Sequence, residues 1–396
     1  MNTPFSPERH EALVEVAWDA DRARDAIGRI VTRTRAAASP HGTWPVHPKD
    51  GPEDAPPMLG LYSGSAGVIW ALDALARSGY APLGETFAEH LPHHAAWNRE
   101  HHLRLGIQSR SYLMAQGGIL LALFRTTPSA DTADSLAEVI AANIEDAHRE
   151  LMWGAPGSMI AALAMHQATG EPRWGELYRS SAEALERAFH QEPSIANTRI
   201  WTQELYGQTL QHYGLVHGFA GNAFALIAGR SLLEADHWAV LSARLAETLR
   251  ATAICEGGFA RWFAGEGPDR PGRLRPVQIC HGAPGMIVGL SGLDQPIDDL
   301  LIAGAETTWA AGPLNKGAGL CHGTAGNGYA FLKLFARSGD SRWLDRARAF
   351  AMHAISQSET QAGGPRYTLW TGDLGLALYL ADCIDGHAHF PTLDTM

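Results

Sequence analysis

Two kinds of apolar pattern alternate along the chain. In "DTADSLAEVIAANIEDAHRE", Leu136, Val139, Ile140 and Ile144 recur at helical spacing on one face, behind an acidic start at Asp131 and Asp134 that suits the positive end of a helix. Leu241, Leu245 and Leu249 repeat that one-sided stripe, as do Trp343, Ala347 and Phe350. Segments of the other kind, such as "VIWALDALAR" and "MIVGL", are apolar on most sides, as a helix is when neighbours bury it all round. The pattern predicts one-sided outer helices interleaved with buried inner helices, and it offers no convincing strand.

Each inner segment follows a pair of small residues. The starts are "GLYSGSAGVIWAL" (60–72), "YLMAQGGILLAL" (112–123), "LMWGAPGSMIAAL" (151–163), "GLVHGFAGNAFAL" (214–226), "QICHGAPGMIVGL" (278–290), "GLCHGTAGNGYAFL" (319–332) and "TLWTGDLGLALYL" (368–380). Six read Gly-x-x-Gly, and the second has Ala115 in place of the first glycine. The second glycines fall at 67, 118, 157, 221, 285, 326 and 375, so a constant helical unit is separated by loops of variable length. Glycine permits positive φ and close backbone approach where a chain enters a helix, and costs about 1 kcal/mol in mid-helix, so its recurrence marks helix starts. Seven inner–outer pairs predict an all-α chain, a seven-fold α/α toroid in a single domain over 1–396. The repeats cover about 60–382 and an N-terminal helix covers about 7–36. With inner helices parallel, seven N-termini would converge at one end, each with unpaired N–H groups and a partial positive charge that favours anions and thiolates.

Long irregular stretches at 39–58, 191–213 and 255–278 precede several starts, and their Pro, Gly and aromatic content predicts ordered loops of the length that often carries function. Trp201, Tyr206 and Trp262 are candidates to line a cleft there.

Composition narrows the function. Hydrophobic residues make up 45% and charged residues 18%, below the typical share of about 25%, so much of the chain must be buried. The 31 basic and 42 acidic residues give −11 with no basic tract, which argues against a nucleic-acid groove or an anionic membrane surface. No segment has the roughly 18 uninterrupted apolar residues of a membrane span. The amphipathic N-terminus has no run resembling a signal peptide. Cys255, Cys280, Cys321 and Cys383 are too few and scattered for a disulfide framework, and a reducing cytoplasm fits them.

Three helix starts carry a histidine just before the first glycine, and two of those add a cysteine: His217, the pair Cys280-His281, and the pair Cys321-His322. Two thiolates and one imidazole around Zn2+, with the fourth tetrahedral position open, is the pattern of a catalytic zinc site. A single Cys-His dipeptide is weak evidence, because buried cysteine is commonly a small apolar residue. Packing alone has no reason to place the same dipeptide at two equivalent repeat positions. Spacing does not choose between His281 and His322 as the imidazole ligand.

The motifs "VQICHGAPGMIVGL" and "KGAGLCHGTAGNGYAFL" resemble the paired signatures of the lanthionine cyclase family, particularly its LanC-like glutathione-binding branch. The resemblance covers all seven repeats. It implies one zinc ion on Cys280, Cys321 and His322, with His281 beside the ligand set at a position that need not be histidine. His217 matches the family histidine proposed as acid/base near the zinc. Glu150 stands where the antibiotic cyclases have aspartate, a departure that weakens the case for classical lantibiotic ring closure and resembles the LanC-like branch. Lys316 matches a lysine associated with the incoming thiol or its acceptor, Glu150 is a further candidate for substrate binding, and Arg366 is a candidate for an anionic ligand.

The resemblance implies addition of a thiol, from glutathione or a peptide cysteine, to the β-carbon of a dehydroalanine or dehydrobutyrine residue. A thioether forms, and His217 protonates the enolate or first deprotonates the thiol. Two other classes stay open: a zinc-stabilised module that holds glutathione or a peptide without turnover, and a toroid glycosidase working with paired carboxylates. Acidic residues are sparse at the seven starts, where only Glu150 and Asp373 stand out.

Overall fold

The computed structural model describes residues 4–52, 55–84, 87–104, 110–192, 197–266 and 276–396. Parts of the three long loops, at 53–54, 193–196 and 267–275, lie outside the described residues. The helices are α1 (Ala20–Ala36), α2 (Ser65–Arg77), α3 (Leu91–Arg104), α4 (Gln116–Thr126), α5 (Ala130–Ala142), α6 (Ala155–Thr169), α7 (Pro172–Arg187), α8 (Phe219–Ala228), α9 (Ala235–Thr252), α10 (Ala283–Leu290), α11 (Asp298–Ala311), α12 (Thr324–Ser338), α13 (Ser341–Thr360) and α14 (Asp373–Asp385). The seven anticipated starts open α2, α4, α6, α8, α10, α12 and α14. Their N-caps are Gly64, Ala115, Gly154, Gly218, Gly282, Gly323 and Gly372, the first member of each small-residue pair. These helices are buried nearly all round, whereas α9 buries Leu241, Leu245 and Leu249, and α13 buries Trp343, Ala347 and Phe350. On α5, Leu136 and Ile140 are fully buried.

The chain forms two compact units, residues 137–311 with 1–6, and residues 7–136 with 312–396. Within the second, the start loops hydrogen-bond in series. Leu320 and Cys321 N–H groups donate to the Trp370 carbonyl at 2.8 and 2.9 Å, Trp370 N–H donates to Tyr62 O at 3.0 Å, and Tyr62 N–H donates to Leu113 O at 2.8 Å. The order of starts is therefore sixth, seventh, first, second. The second glycines explain why the loops approach so closely. A Cβ on Gly67 would sit 2.1 Å from Leu61 O in its own loop and 3.1 Å from Leu369 Cβ of the seventh start. The 137–311 unit repeats the relation: a Cβ on Gly221 would meet Leu151 Cβ at 3.2 Å, and one on Gly285 would meet Leu215 Cβ at 3.2 Å, giving the order third, fourth, fifth.

The N-terminal segment departs from the expected helix over about 7–36. α1 begins at Ala20, where Asp19 accepts the N–H groups of Asp21 and Arg22 at 3.0 Å. Residues before it are non-helical because tertiary partners claim their backbone. Glu11 N–H donates to Pro313 O at 2.9 Å, Asn315 N–H donates to Arg9 O at 3.0 Å, and Val14 N–H meets His353 Nδ1 at 3.2 Å. α1 packs on α14, so the first helix serves as outer partner of the last.

Short strands occupy the 191–213 and 255–278 stretches, a second departure. β1 (His190–Gln191) pairs with β2 (Arg199–Ile200); β3 (Gln203–Leu205), β4 (Gln208–His212) and β7 (Gly265–Glu266) form one sheet; β5 (Ile254–Glu256) pairs with β6 (Phe259–Arg261). All pairings are antiparallel. Strands of two to five residues are too short to show alternation. What the sequence does carry is turn chemistry: Tyr206-Gly207 and Gly257-Gly258 all take positive φ, the two-residue hairpin geometry. Trp201 and Trp262 are fully buried, donating their indole N–H to Leu185 O and Leu249 O, while Tyr206 is exposed. Among the described residues no helix is long and apolar enough to cross a membrane.

Candidate active site and metal ligands

In the 137–311 unit the loop before α6 carries Glu150, and the loop before α8 carries His217. Glu150 is fully buried, and its Oε2 accepts the Met152 N–H at 3.1 Å while Oε1 accepts the Trp153 N–H. Those amides lie just ahead of α6, so the carboxylate caps the loop that leads into the helix. Oε2 lies 2.8 Å from Nδ1 of His217. An ionised carboxylate with no proton to give requires Nδ1 to be the donor, which leaves Nε2 of His217 as the nitrogen that exchanges a proton with substrate. Burial pushes the His217 imidazole down, but the hydrogen bond and charge of Glu150, with Cys280, outweigh it and raise its pKa above the ordinary 6.5.

The surrounding loop is braced. Arg149 takes a positive φ of 44°, and its carbonyl accepts Asn222 Nδ2 at 2.9 Å. The β3 strand docks there through Glu204 N–H to Ala147 O at 3.1 Å, and Gln203 Oε1 accepts the His212 N–H at 2.8 Å. His212, His217 and His281 form an imidazole cluster with ring centres 5.4 to 6.1 Å apart. His281 therefore stands beside His217, and His212 is a member that motif spacing missed. Its only signal is its place five residues before His217 in "HYGLVHG".

Cys280 precedes α10 in the same unit. Its thiol is buried, and Gln278 Nε2 donates to Sγ at 2.9 Å. The α8 start lies against it: a Cβ on Gly214 would be 1.8 Å from the Cys280 carbonyl oxygen, so only glycine allows the His217 loop to come this near.

In the other unit, buried Cys321 and half-buried His322 precede α12, with Sγ and a ring nitrogen within 4.8 Å. Ligand atoms of tetrahedral zinc are roughly 3.4 Å apart, so adjacent thiol and imidazole at this spacing suit one ion after small side-chain rotations. Lys316 is exposed in the loop before them. Arg366 is buried, with Nε 2.7 Å from Asp50 Oδ2 and Nη2 also on Asp50, so its guanidinium holds the 39–58 loop against the α14 start. Asp50 was not legible as its partner, being 316 residues away in sequence. Asp373 takes part in structure: Arg33 Nη2 lies 2.7 Å from Oδ2, and Ser358 donates to Oδ1 at 2.8 Å. Cys383 is buried and Cys255 exposed.

The family model for lanthionine synthetase C-like proteins matches residues 19–395. The chain belongs to this family. Over 127 residues this LanC-like chain is 37% identical to the zebrafish (Danio rerio) protein named glutathione S-transferase LANCL1, covering 30% of the chain and 31% of the relative. Over 87 residues it is 40% identical to LanC-like protein GCL1 of Arabidopsis thaliana, covering 20% of each. These matches thus span about a third and about a fifth of those relatives. Nisin cyclase has a similar structure, with a TM-score of 0.62 over 91% of this chain and 93% of its own at 14% identity. That likeness shows the fold, and the LanC-like chain is an all-α protein of the α/α toroid class.

Proposed function

We propose that this LanC-like protein is a zinc-dependent enzyme that joins a thiol to a dehydroalanine or dehydrobutyrine residue of a peptide or protein, forming a thioether. The observation that carries the reading is the 2.8 Å contact between buried Glu150 and His217, a carboxylate-oriented imidazole on the loop packed against Cys280. Family membership supports the reaction class, and the name of the zebrafish relative supports glutathione as the thiol, with a peptide cysteine as the other source.

Cys280, Cys321 and His322 would hold the metal, and bound zinc would supply the charge that lowers a thiol's pKa. The remaining chemistry falls to side chains. His217 Nε2 takes the thiol proton while Glu150 stabilises the imidazolium through Nδ1–H. The sulfur forms its bond to the β-carbon as the carbon–carbon double bond opens, and charge moves to the acyl oxygen of the enolate. His217 then returns the proton to the α-carbon, so S–H has added across C=C and no atom is lost. His281 and His212 pack around the ring and fix its plane. Lys316, exposed ahead of Cys321, would meet a carboxylate of the thiol substrate. Arg366 would contribute to anion binding at the α14 start alongside its bond to Asp50.

The test is metal analysis of purified protein, then mass spectrometry after incubation with a dehydroalanine peptide and glutathione. The expected product is heavier by one glutathione, with one zinc per chain at this site. Zinc without any adduct would instead support a zinc-stabilised binding module, and absence of zinc would overturn the ligand assignment. The glycosidase alternative lacks support in the side chains: Glu150 is committed to His217, and Asp373 to Arg33 and Ser358.

A further inference from the structure

The end of α14 holds a second group of metal-ligating side chains, unrelated to the thiols. Asp382, His387 and His389 each offer a ligand atom, and these atoms all lie within 4.8 Å of one another. Helix termination builds the cluster. Gly386 takes a φ of 72°, and the His387 N–H turns back to the Asp382 carbonyl at 3.0 Å. That reversal lays the His-x-His segment over the last helical turn. Asp382 Oδ2 accepts the Tyr329 hydroxyl at 2.9 Å and the His389 N–H at 3.2 Å, and both bonds fall on the one oxygen. The two imidazoles beside it have ring centres 5.1 Å apart.

The charge around the cluster is mostly negative. Asp385 and Asp394 are near enough to act on Asp382, whose pKa is pushed up to about 7, chiefly by burial and further by these two carboxylates against its hydrogen bonds from Tyr329 and His389. Lys333 answers Asp394 with a 2.8 Å ion pair, while Asp385 accepts the Tyr80 hydroxyl at 2.6 Å.

We propose that Asp382, His387 and His389 form a second metal site, which takes a divalent cation preferring imidazole and carboxylate, such as Zn2+ or Ni2+. Two imidazoles and one carboxylate suit that class, and they disfavour Mg2+ and Ca2+, which take oxygen ligands. Ligand atoms around zinc are roughly 3.4 Å apart, so the exposed rings need only rotate inward. The ion would pin residues 387–396, whose Phe390 packs at a tilt against Tyr329 and Trp370 with ring centres 4.9 and 5.3 Å away, to the end of α14. It would be structural and independent of the thioether chemistry.

The full chain titrated with ZnCl2 at micromolar free metal should bind two ions. A Cys321→Ser variant should keep this second ion, and a His387→Ala/His389→Ala variant should lose it while keeping thioether formation. Each single histidine variant should weaken the site at least about tenfold, since even outer-shell partners of metal ligands are worth 10–100-fold. Both histidines are exposed, so the variants will fold. NiCl2 added to the Cys321→Ser chain should raise its Tm, and the double histidine substitution in that background should abolish the rise. A second ion retained by the histidine variant, or binding seen only at millimolar metal, would overturn the proposal.

Discussion

Glu150 Oε2 and His217 Nδ1 meet at 2.8 Å inside the protein, the carboxylate fully buried and fed by two backbone amides of its own loop. The pair is 67 residues apart in sequence and is brought together by packing of the third helix start on the fourth. A carboxylate so placed fixes the tautomer and plane of the imidazole. His217→Asn should lower the rate of thioether formation by about 10²–10⁴, the usual worth of a positioned acid/base, with zinc content unchanged. Glu150→Gln should cost less, because the amide oxygen still accepts from Nδ1–H. Equal rates for wild type and His217→Asn would remove His217 from the chemistry.

The same pair sets a pH dependence. Burial lowers the His217 pKa, Glu150 and Cys280 raise it, and the net shift is upward from 6.5. Because folding raises this pKa, the stabilisation is complete below the unfolded value near 6.5 and fades as pH rises through the folded one. Glu150→Gln removes the charge that raises it. The acid limb of the activity profile, set by the neutral imidazole that takes the thiol proton, should then move to lower pH, and the imidazole titration followed by NMR should move with it. An unshifted limb would mean that another group carries the proton.

Removing one thiol tests the ligand assignment separately from catalysis. Cys321→Ser should abolish binding of the thiolate-held zinc and thioether formation, whereas Cys255→Ser, at an exposed position on β5, should leave both intact. Cobalt substitution should show thiolate charge-transfer absorption in wild type and lose it in Cys321→Ser. Persistence of that band would reassign the sulfur ligands.

Much of this arrangement was legible because a glycine leaves a mark wherever two backbones nearly touch. The seven starts stand out in the sequence, Ala115 among them, since the small pair before an apolar run is needed at every junction. The outer stripes of Leu241, Leu245 and Leu249 were legible for the same local reason. What failed depends on distant partners. Residues 7–19 have a helix-like pattern, yet Pro313 O and Asn315 capture their backbone from across the chain. Nothing local announces that α1 is the outer partner of α14, that Asp50 answers Arg366, or that His212 joins His217 and His281.

Glycine substitutions should separate junction from helix surface. On Gly285 a Cβ would lie 2.1 Å from Ile279 O, backbone that cannot yield cheaply, so Gly285→Ala should destabilise by about 3 kcal/mol, the upper end of overpacking costs. Gly28, within α1, has nothing within 4 Å of an added Cβ. Gly28→Ala should stabilise by about 0.5–1 kcal/mol through helix propensity. Chemical denaturation of both variants checks the contrast, and similar effects at the two sites would refute the close-approach account.

Asp373 shows how the N-terminal helix is fastened to the last one. Its buried carboxylate takes Arg33 Nη2 at 2.7 Å, the Ser358 hydroxyl at 2.8 Å and the Arg366 N–H at 3.0 Å, so α1, α13 and the α14 start share one acceptor. Removing it strands a cation, a hydroxyl and an amide together. Breaking a buried ion pair costs about 3–5 kcal/mol, and because Arg33 keeps partial access to water, Asp373→Ala should fall near about 3 kcal/mol. Arg33→Met should cost less, since Ser358 and Arg366 still satisfy the carboxylate. In a double-mutant cycle the two changes should be strongly non-additive, because the second removes a partner already lost. Hydrogen exchange should show α1 amides losing protection in Asp373→Ala before those of α8 or α10. Additive energies with uniform loss of protection would mean that the carboxylate satisfies its own loop and does not hold α1 in place.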